Sequence, residues 1–274
     1  MEIYQSNIMI GCIIQARMSS SRLPGKILMK IENNDTILDF VINQLKSSKN
    51  LDAIIIATTN LPVDDQIVEF AKKRQIKCFR GSEKNVLTRY HDCAKYFSLD
   101  TIVRITSDCP LIDPSLLDYL IQKFVEGDYD FISPGFPRTF PQGSADIEVF
   151  SFQSLEKMWH EATKPSEREH VCTYIYNNPK KFNIHTIPNT LNLSNLKWSV
   201  DRKEDLKFVQ EIVKKISKRP ILTDDILNVL KNEPKLVQIN KNYILEEGYK
   251  KSIKEDQRLG FSDNSDMRNN KILK

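Results

Sequence analysis

The segment Gln15-Ala-Arg-Met-Ser-Ser-Ser-Arg-Leu-Pro-Gly-Lys26 gathers three cations, Arg17, Arg22 and Lys26, and three consecutive serines directly after an apolar run. Such a loop can aim backbone N–H groups, hydroxyls and positive charge at one point, as a polyphosphate requires. It has the glycine spacing of neither a Walker loop nor a dinucleotide-binding turn, and a solvated basic loop would read the same way. Asp108 stands in Ser107-Asp-Cys-Pro110, just beyond the apolar run Thr101–Thr106. If that run is a strand, it delivers the carboxylate to the same sheet edge as the cationic loop. A carboxylate facing a triphosphate is repelled unless a cation lies between, and a hard, oxygen-seeking ion such as Mg²⁺ resolves the conflict. The alternative is an Asx turn leading into Pro110. Asp201 follows the strand-like Leu196–Val200 and precedes a helical run, where a helix cap is the simpler reading. Neither aspartate is expected to support the core, so neutralising either should leave thermal stability nearly unchanged.

Asp146 and Glu148 open the stretch DIEVF, and strand alternation places them on one face with Ile147 on the other. They suit acceptor hydroxyls, or equally the solvent face of an edge strand. Ser166-Glu-Arg-Glu-His170 joins two acids, Arg168 and His170 at the start of a helical pattern. A charged first turn is ordinarily a solvated face.

These residues need a scaffold, and the pattern supplies one. Strand-length apolar runs (8–14, 53–57, 102–105, 131–132, 147–150) alternate with helical stretches (37–45, 63–73, 86–97, 116–125). Apolar residues at 116, 117, 120, 121, 124 and 125 mark one helix face, and Asp113-Pro114 fits a cap followed by a first-turn proline. The alternation predicts an α/β fold with a mostly parallel sheet, its functional loops at the carboxyl ends of the strands. Helices are expected near 152–162, 167–177 and 203–216, and strands at 182–187 and 196–200. One domain is expected over 1–250, followed by a polar, frayed tail over 251–274.

Composition agrees. The 274 residues carry a net charge of +4, with 40% hydrophobic residues, which permits a core and excludes wholesale disorder. The near balance of charge makes no case for nucleic acid or a membrane surface. Five scattered cysteines without CxxC spacing read as buried thiols in a reducing compartment. The apolar run 8–14 is too short to span a bilayer, so a soluble cytoplasmic protein is expected.

IIQARMSSSRLPGKIL resembles the nucleotide-binding signature of the cytidylyltransferases that activate sugar acids, the 3-deoxy-manno-octulosonate and acylneuraminate types, and above all their spore-coat-polysaccharide branch. RITSDCPLIDP, DIEVFSFQSLEKMW with SEREHV, and LKWSVDRKEDLKFV follow in the family's order, so the resemblance runs from about 8 to 250. It implies a three-layer α/β/α sandwich of glycosyltransferase-A type with a mostly parallel mixed sheet. It implies CTP held by Ala16, Arg17, Ser19, Arg22 and Lys26, with Arg17 and Lys26 on the phosphates and the base read by Ser82 and Thr106. It assigns Asp108 and Asp201 to catalytic Mg²⁺, with Arg17, Lys26 and Asp108 central to catalysis. Asp146, Glu148, Arg168 and His170 fall to an anionic sugar-type acceptor. The activity implied is Mg²⁺-dependent transfer of CMP with release of pyrophosphate, in surface-glycan biosynthesis, by a chain that commonly dimerises. A glycosyltransferase of the same fold and a non-catalytic nucleotide-binding protein are the alternatives. The four charged and polar groups of the first loop suit a free triphosphate better than a nucleotide sugar.

Overall fold

The computed structural model describes residues 8–135, 137–243 and 247–262. Its strands are β1 Ile10–Gln15, β2 Lys30–Glu32, β3 Asp35–Thr36, β4 Ala53–Thr59, β5 Lys77–Gly81, β6 Thr101–Thr106, β7 Phe131–Ser133, β8 Glu148–Ser151 and β9 Ile184–Thr186. Its helices are α1 Ile37–Leu45, α2 Asp65–Arg74, α3 Val86–Tyr96, α4 Pro114–Glu126, α5 Phe152–Glu161, α6 Pro165–Glu169, α7 Thr173–Asn177, α8 Lys203–Lys215, α9 Thr223–Asn232 and α10 Glu247–Arg258. Seven strands form one sheet in the order β5-β4-β1-β6-β8-β7-β9. Only β8 runs antiparallel to its neighbours, so the sheet is mixed and mostly parallel. β2 and β3 make a separate hairpin.

β1 lies between β4 and β6 with helices on both faces, which is why it reads as a continuous apolar run. Cys12 and Ile14 pack with α1, α2 and α4, while Ile13 packs with α3, α5 and α7. A third cluster lies beside the sheet. Trp198 and Val200 are buried there with Leu23, Ile37, Phe40 and the apolar faces of α8 and α9. Local signals set the helix starts. Asp113 accepts from the backbone N–H of Ser115 and Leu116 ahead of α4, and Thr36 with Asp39 forms a capping box on α1.

The structure departs from the sequence reading in four places. The stretch expected as one helix over 167–177 is two short ones, broken where Val171 takes a positive φ of 40°. Leu196–Val200 is extended but joins no sheet. Lys197 bridges Gln142, and the N–H groups of Trp198 and Ser199 both donate to Gln142 O. Strand β5 and the β2–β3 hairpin carry too few apolar residues in period to stand out, and helix α9, whose Ile226, Leu227, Val229 and Leu230 are spaced for one face, is absent from the sequence reading. The expected frayed tail begins as α10, which packs on α6 with Asp256 buried and accepting from Ser166 N; residues 263–274 lie outside the described residues. Among the described residues no helix is long and apolar enough to cross a membrane.

Candidate active site

β1 ends at Gln15 and β6 at Thr106, paired in register, so the loops after them share one sheet edge. The first loop turns at Gly25, whose φ of 69° is left-handed, and enters a single 3₁₀ turn at Lys26. That turn buries the Lys26 stem and aims its ammonium at the second loop. Lys26 Nζ donates to Asp108 Oδ2 at 2.7 Å, Asp201 Oδ1 at 3.0 Å and Val200 O at 2.6 Å. Three segments remote in sequence are therefore joined by one ammonium group.

Asp201 is held in place by the third core. Buried Trp198 and Val200 anchor the extended segment, and Val200 N donates to Asp108 O at 2.8 Å, tying the two aspartates' loops together. Gly143, with a φ of 96°, lets the loop before β8 approach this segment; a Cβ there would lie 2.3 Å from Ser199 N. Around Asp201 stand three cations: Lys26, Arg22 at 2.5 Å and Lys197 at 3.3 Å. Burial alone would raise the Asp201 carboxyl, but Lys26, Lys197 and Arg22 outweigh it and hold the group well below the usual carboxylate range. Burial likewise opposes the charge on Lys26, yet Asp108 and Asp201 keep its pKa above that of an ordinary lysine. Asp201 sits at the centre of a cation cluster, an arrangement that the expectation of unchanged stability does not take into account.

Two cavities open on either side of this centre, and both are lined by Arg22, Thr106, Asp108, His170 and Asp201. The first continues along Gln15, Ala16, Arg17, Ser20, Ser21 and Lys26 to Val86 and Arg89. The second runs past Arg104, Arg138, Gln142, Asp146, Glu148 and Tyr176. Its arginines are paired: Arg104 with Glu148, and Arg138 with Asp146 at 2.6 Å. Tyr176 OH donates to Glu148 at 3.4 Å. Helix α10 closes both cavities, with Gly248 in each. Its Ser252 Oγ lies 2.9 Å from His170 Nε2, and Glu247 lies 3.1 Å from Arg202.

Most of the residues singled out in the sequence meet here. Ala16, Arg17, Arg22, Lys26, Thr106 and Asp108 line the first cavity, and Asp146 and Glu148 line the second; Asp146 precedes β8, and Ile147, expected on the other face, lines the second cavity as well. Arg17 reaches across to Glu169 at 3.1 Å. Three residues are placed elsewhere. Ser19 lines neither cavity, while Ser20 and Ser21 line the first. Ser82 accepts from Asn85 N ahead of α3 and lines neither cavity. Arg168 donates to Ala162 O at 2.6 Å, also outside both cavities. Arg104, Arg138, Lys197 and Arg89 were not singled out. Arg104 left a signal, an arginine inside the otherwise apolar and β-branched run TIVRIT.

The donor set suits a hard cation. Asp108 and Asp201 share one cation, the Lys26 ammonium, and Asp201 also faces Arg22 and Lys197. Among the described residues no group of three or more His, Cys, Asp or Glu converges as a metal site. Two carboxylates are what Mg²⁺ ordinarily takes from a protein, substrate phosphates and water filling its remaining positions.

A mostly parallel mixed sheet carries two cavities that meet at a lysine–dicarboxylate centre, and the comparisons place the chain among the nucleotidyltransferases. The cytidylyltransferase family profile matches residues 11–253, and the chain belongs to that family. It is 37% identical over 232 residues to the uncharacterized protein MJ1063 of Methanocaldococcus jannaschii, covering 84% of this chain and 93% of that one. It is 31% identical over 234 residues to the spore coat polysaccharide biosynthesis protein SpsF of Bacillus subtilis, covering 81% and 94%. The solved structure of a cytidylyltransferase from Leptospira borgpetersenii superposes with a TM-score of 0.81 at 36% identity, over 86% of this chain and all of the other.

Proposed function

We propose that the chain joins CMP from CTP to an oxygen of an anionic, sugar-type acceptor, releasing pyrophosphate with Mg²⁺ as cofactor, in surface-glycan biosynthesis. The observation that carries this reading is the junction of the two cavities at Lys26, Asp108 and Asp201. A nucleotide in the first cavity and an acceptor in the second would bring α-phosphorus and attacking oxygen together at that junction. In the reaction, an acceptor oxygen forms a bond to the α-phosphorus as the bond to the pyrophosphate oxygen breaks. Such a transfer asks the protein for positioning and charge, with little covalent chemistry of its own.

Arg17, Arg22 and Lys26 hold the triphosphate and offset the charge that develops as pyrophosphate departs. Asp108 and Asp201 would hold Mg²⁺, which when bound neutralises phosphate oxygens and orients them. Asp146 and Glu148, each kept in place by an arginine, accept hydrogen bonds from acceptor hydroxyls. Their partners Arg138 and Arg104 take the role toward the acceptor's anionic group that the resemblance gave to Arg168, whose guanidinium is committed to Ala162 O. His170 stands where the two substrates meet. The SpsF likeness supports a glycan context.

The test is pyrophosphate release with CTP, UTP, ATP or GTP against a panel of sugar acids and phosphorylated polyols. CTP is expected to react fastest with at least one sugar acid. Faster turnover with UTP or a purine nucleotide would overturn the nucleotide assignment.

A further inference from the structure

The three cations around Asp201 divide between its two oxygens. Oδ1 takes Arg22 at 2.5 Å and Lys26 at 3.0 Å, whereas Oδ2 lies 3.3 Å from Lys197 Nζ. Arg22 and Lys26 line the first cavity, where a triphosphate would claim them, and Lys197 lines neither cavity. The side chains of Lys197 and Asp205 are each 3% exposed, and they meet at 2.5 Å. The Tyr243 ring lies 5.8 Å from the same ammonium.

A buried ion pair is weak evidence for stability, since apolar residues of similar volume often serve a fold as well or better. Asp205 has a local duty that explains its place. Its Oδ2 accepts from the N–H groups of Asp201 and Arg202, both at 2.9 Å, at the start of α8, and its Oδ1 accepts from Asn240 at 3.1 Å. No capping duty of that kind explains Lys197. It stands on the extended segment beside Trp198 and Val200, whose own side chains lie in an apolar cluster, and its ammonium bridges Asp205 and Asp201. Without it those two carboxylates would be like charges four residues apart, with Asp205 already bound to the Asp201 N–H.

We infer that Lys197 is a positioning residue: it fixes Asp201 Oδ2 from outside the cavities, so that Oδ1 passes from Lys26 and Arg22 to Mg²⁺ when CTP is bound. The two cavity cations have phosphate oxygens to turn to once the nucleotide enters. Lys197, sealed against Asp205, has none and keeps its hold. A carboxylate held in this way presents one oxygen in one orientation, with no rearrangement needed as the metal arrives. Groups that orient a metal ligand govern metal affinity about tenfold to a hundredfold without touching the ion. The inference rests on the proposal that Asp108 and Asp201 hold Mg²⁺.

The measurement is the calorimetric affinity for CTP in Mg²⁺ and in EDTA, whose ratio is the gain contributed by the metal, beside a melting curve. In Lys197→Met that gain should fall about tenfold or more, while the affinity in EDTA, which reports the loop cations, stays near the parent's. A general loss of structure would weaken both affinities alike, and that result overturns the inference. Lys197→Met also leaves Asp205 buried without its cation. The double variant Lys197→Met with Asp205→Asn removes both charges and keeps an oxygen for the N–H groups of Asp201 and Arg202, so it separates folding from positioning. Its Tm should recover toward the parent while the gain from Mg²⁺ stays low. A gain that returns with the Tm makes Lys197 a counterion of the fold and overturns the inference. Should Lys197→Met fail to fold, the double variant decides alone. An unaltered protein with the same CTP affinity in Mg²⁺ and in EDTA defeats the metal assignment itself, whereas a gain undiminished in the variants defeats only the role of Lys197.

Discussion

Lys26→Met keeps the aliphatic stem and removes the ammonium that joins the first loop to Asp108, Val200 and Asp201. Breaking a buried ion pair by deleting one partner costs about 3–5 kcal/mol. Two features place this case at the lower end. Asp201 retains Arg22 at 2.5 Å and Lys197 at 3.3 Å, and the Asp108 side chain is 25% exposed, so water reaches it. A loss of about 3 kcal/mol corresponds to roughly 6–12 °C in Tm for a chain of this size. The pH dependence follows from the two shifted groups. The raised Lys26 pKa contributes stability below the ordinary lysine value of 10.5, lost as pH rises through the folded value. The depressed Asp201 pKa contributes stability above its ordinary value of 3.8, lost as pH falls through the folded value. Between those limits the parent's contribution is constant. In the variant Asp201 has lost one of the three cations that lower its pKa, so its folded value rises and the deficit should narrow as the pH falls below the ordinary carboxylate range. Thermal unfolding followed by circular dichroism across that range, beside pyrophosphate release with saturating CTP, separates stability from chemistry. Turnover should fall roughly a hundredfold or more. A variant that melts within about 1 °C of the parent near neutral pH, or whose deficit is the same at every pH, would refute the reasoning.

Asp201→Asn removes the negative charge at the centre of Lys26, Arg22 and Lys197, whereas Asp108→Asn leaves Lys26 paired with Asp201. Asp201→Asn should melt several degrees below Asp108→Asn, and both should need more Mg²⁺ for activity; a Mg²⁺ titration beside melting curves checks this, and parent-like titrations would move the metal site elsewhere. Arg168→Ala, outside both cavities, should leave kcat/KM within about threefold of the parent in steady-state assays, since its guanidinium serves Ala162 O. Gly143→Ala would press a Cβ onto Ser199 N at a φ of 96°, so the segment carrying Asp201 should be displaced. Lower Tm and weakened CTP affinity should appear together, and parent-like values in both would show that the contact yields freely.

The sequence by itself determined the α/β alternation and the strand ends that carry the first loop and Asp108. Each of these follows from period or from immediate neighbours in the chain. A buried parallel strand must be apolar along its length, as Ile10–Gln15 is, and the residue after it must emerge at the sheet edge. Periodicity failed where neighbours in space did the work. Leu196–Val200 is extended because Trp198 is buried and Gln142 O receives its N–H groups, with no ladder to enforce a strand. α10 reads as a polar tail because most of its attachments to the fold, among them Asp256 to Ser166 N, Ser252 to His170 and Glu247 to Arg202, are polar contacts that leave no apolar period. Charge partners were likewise decided only by the tertiary structure. Arg168 and Arg89 are both arginines near helix starts that donate to a backbone carbonyl, yet one lies outside both cavities and the other lines the first. No local rule separates them, because an ion's partner depends on which distant segments the core brings within a few ångströms, and the lysine that joins residues 26, 108 and 201 has that same origin.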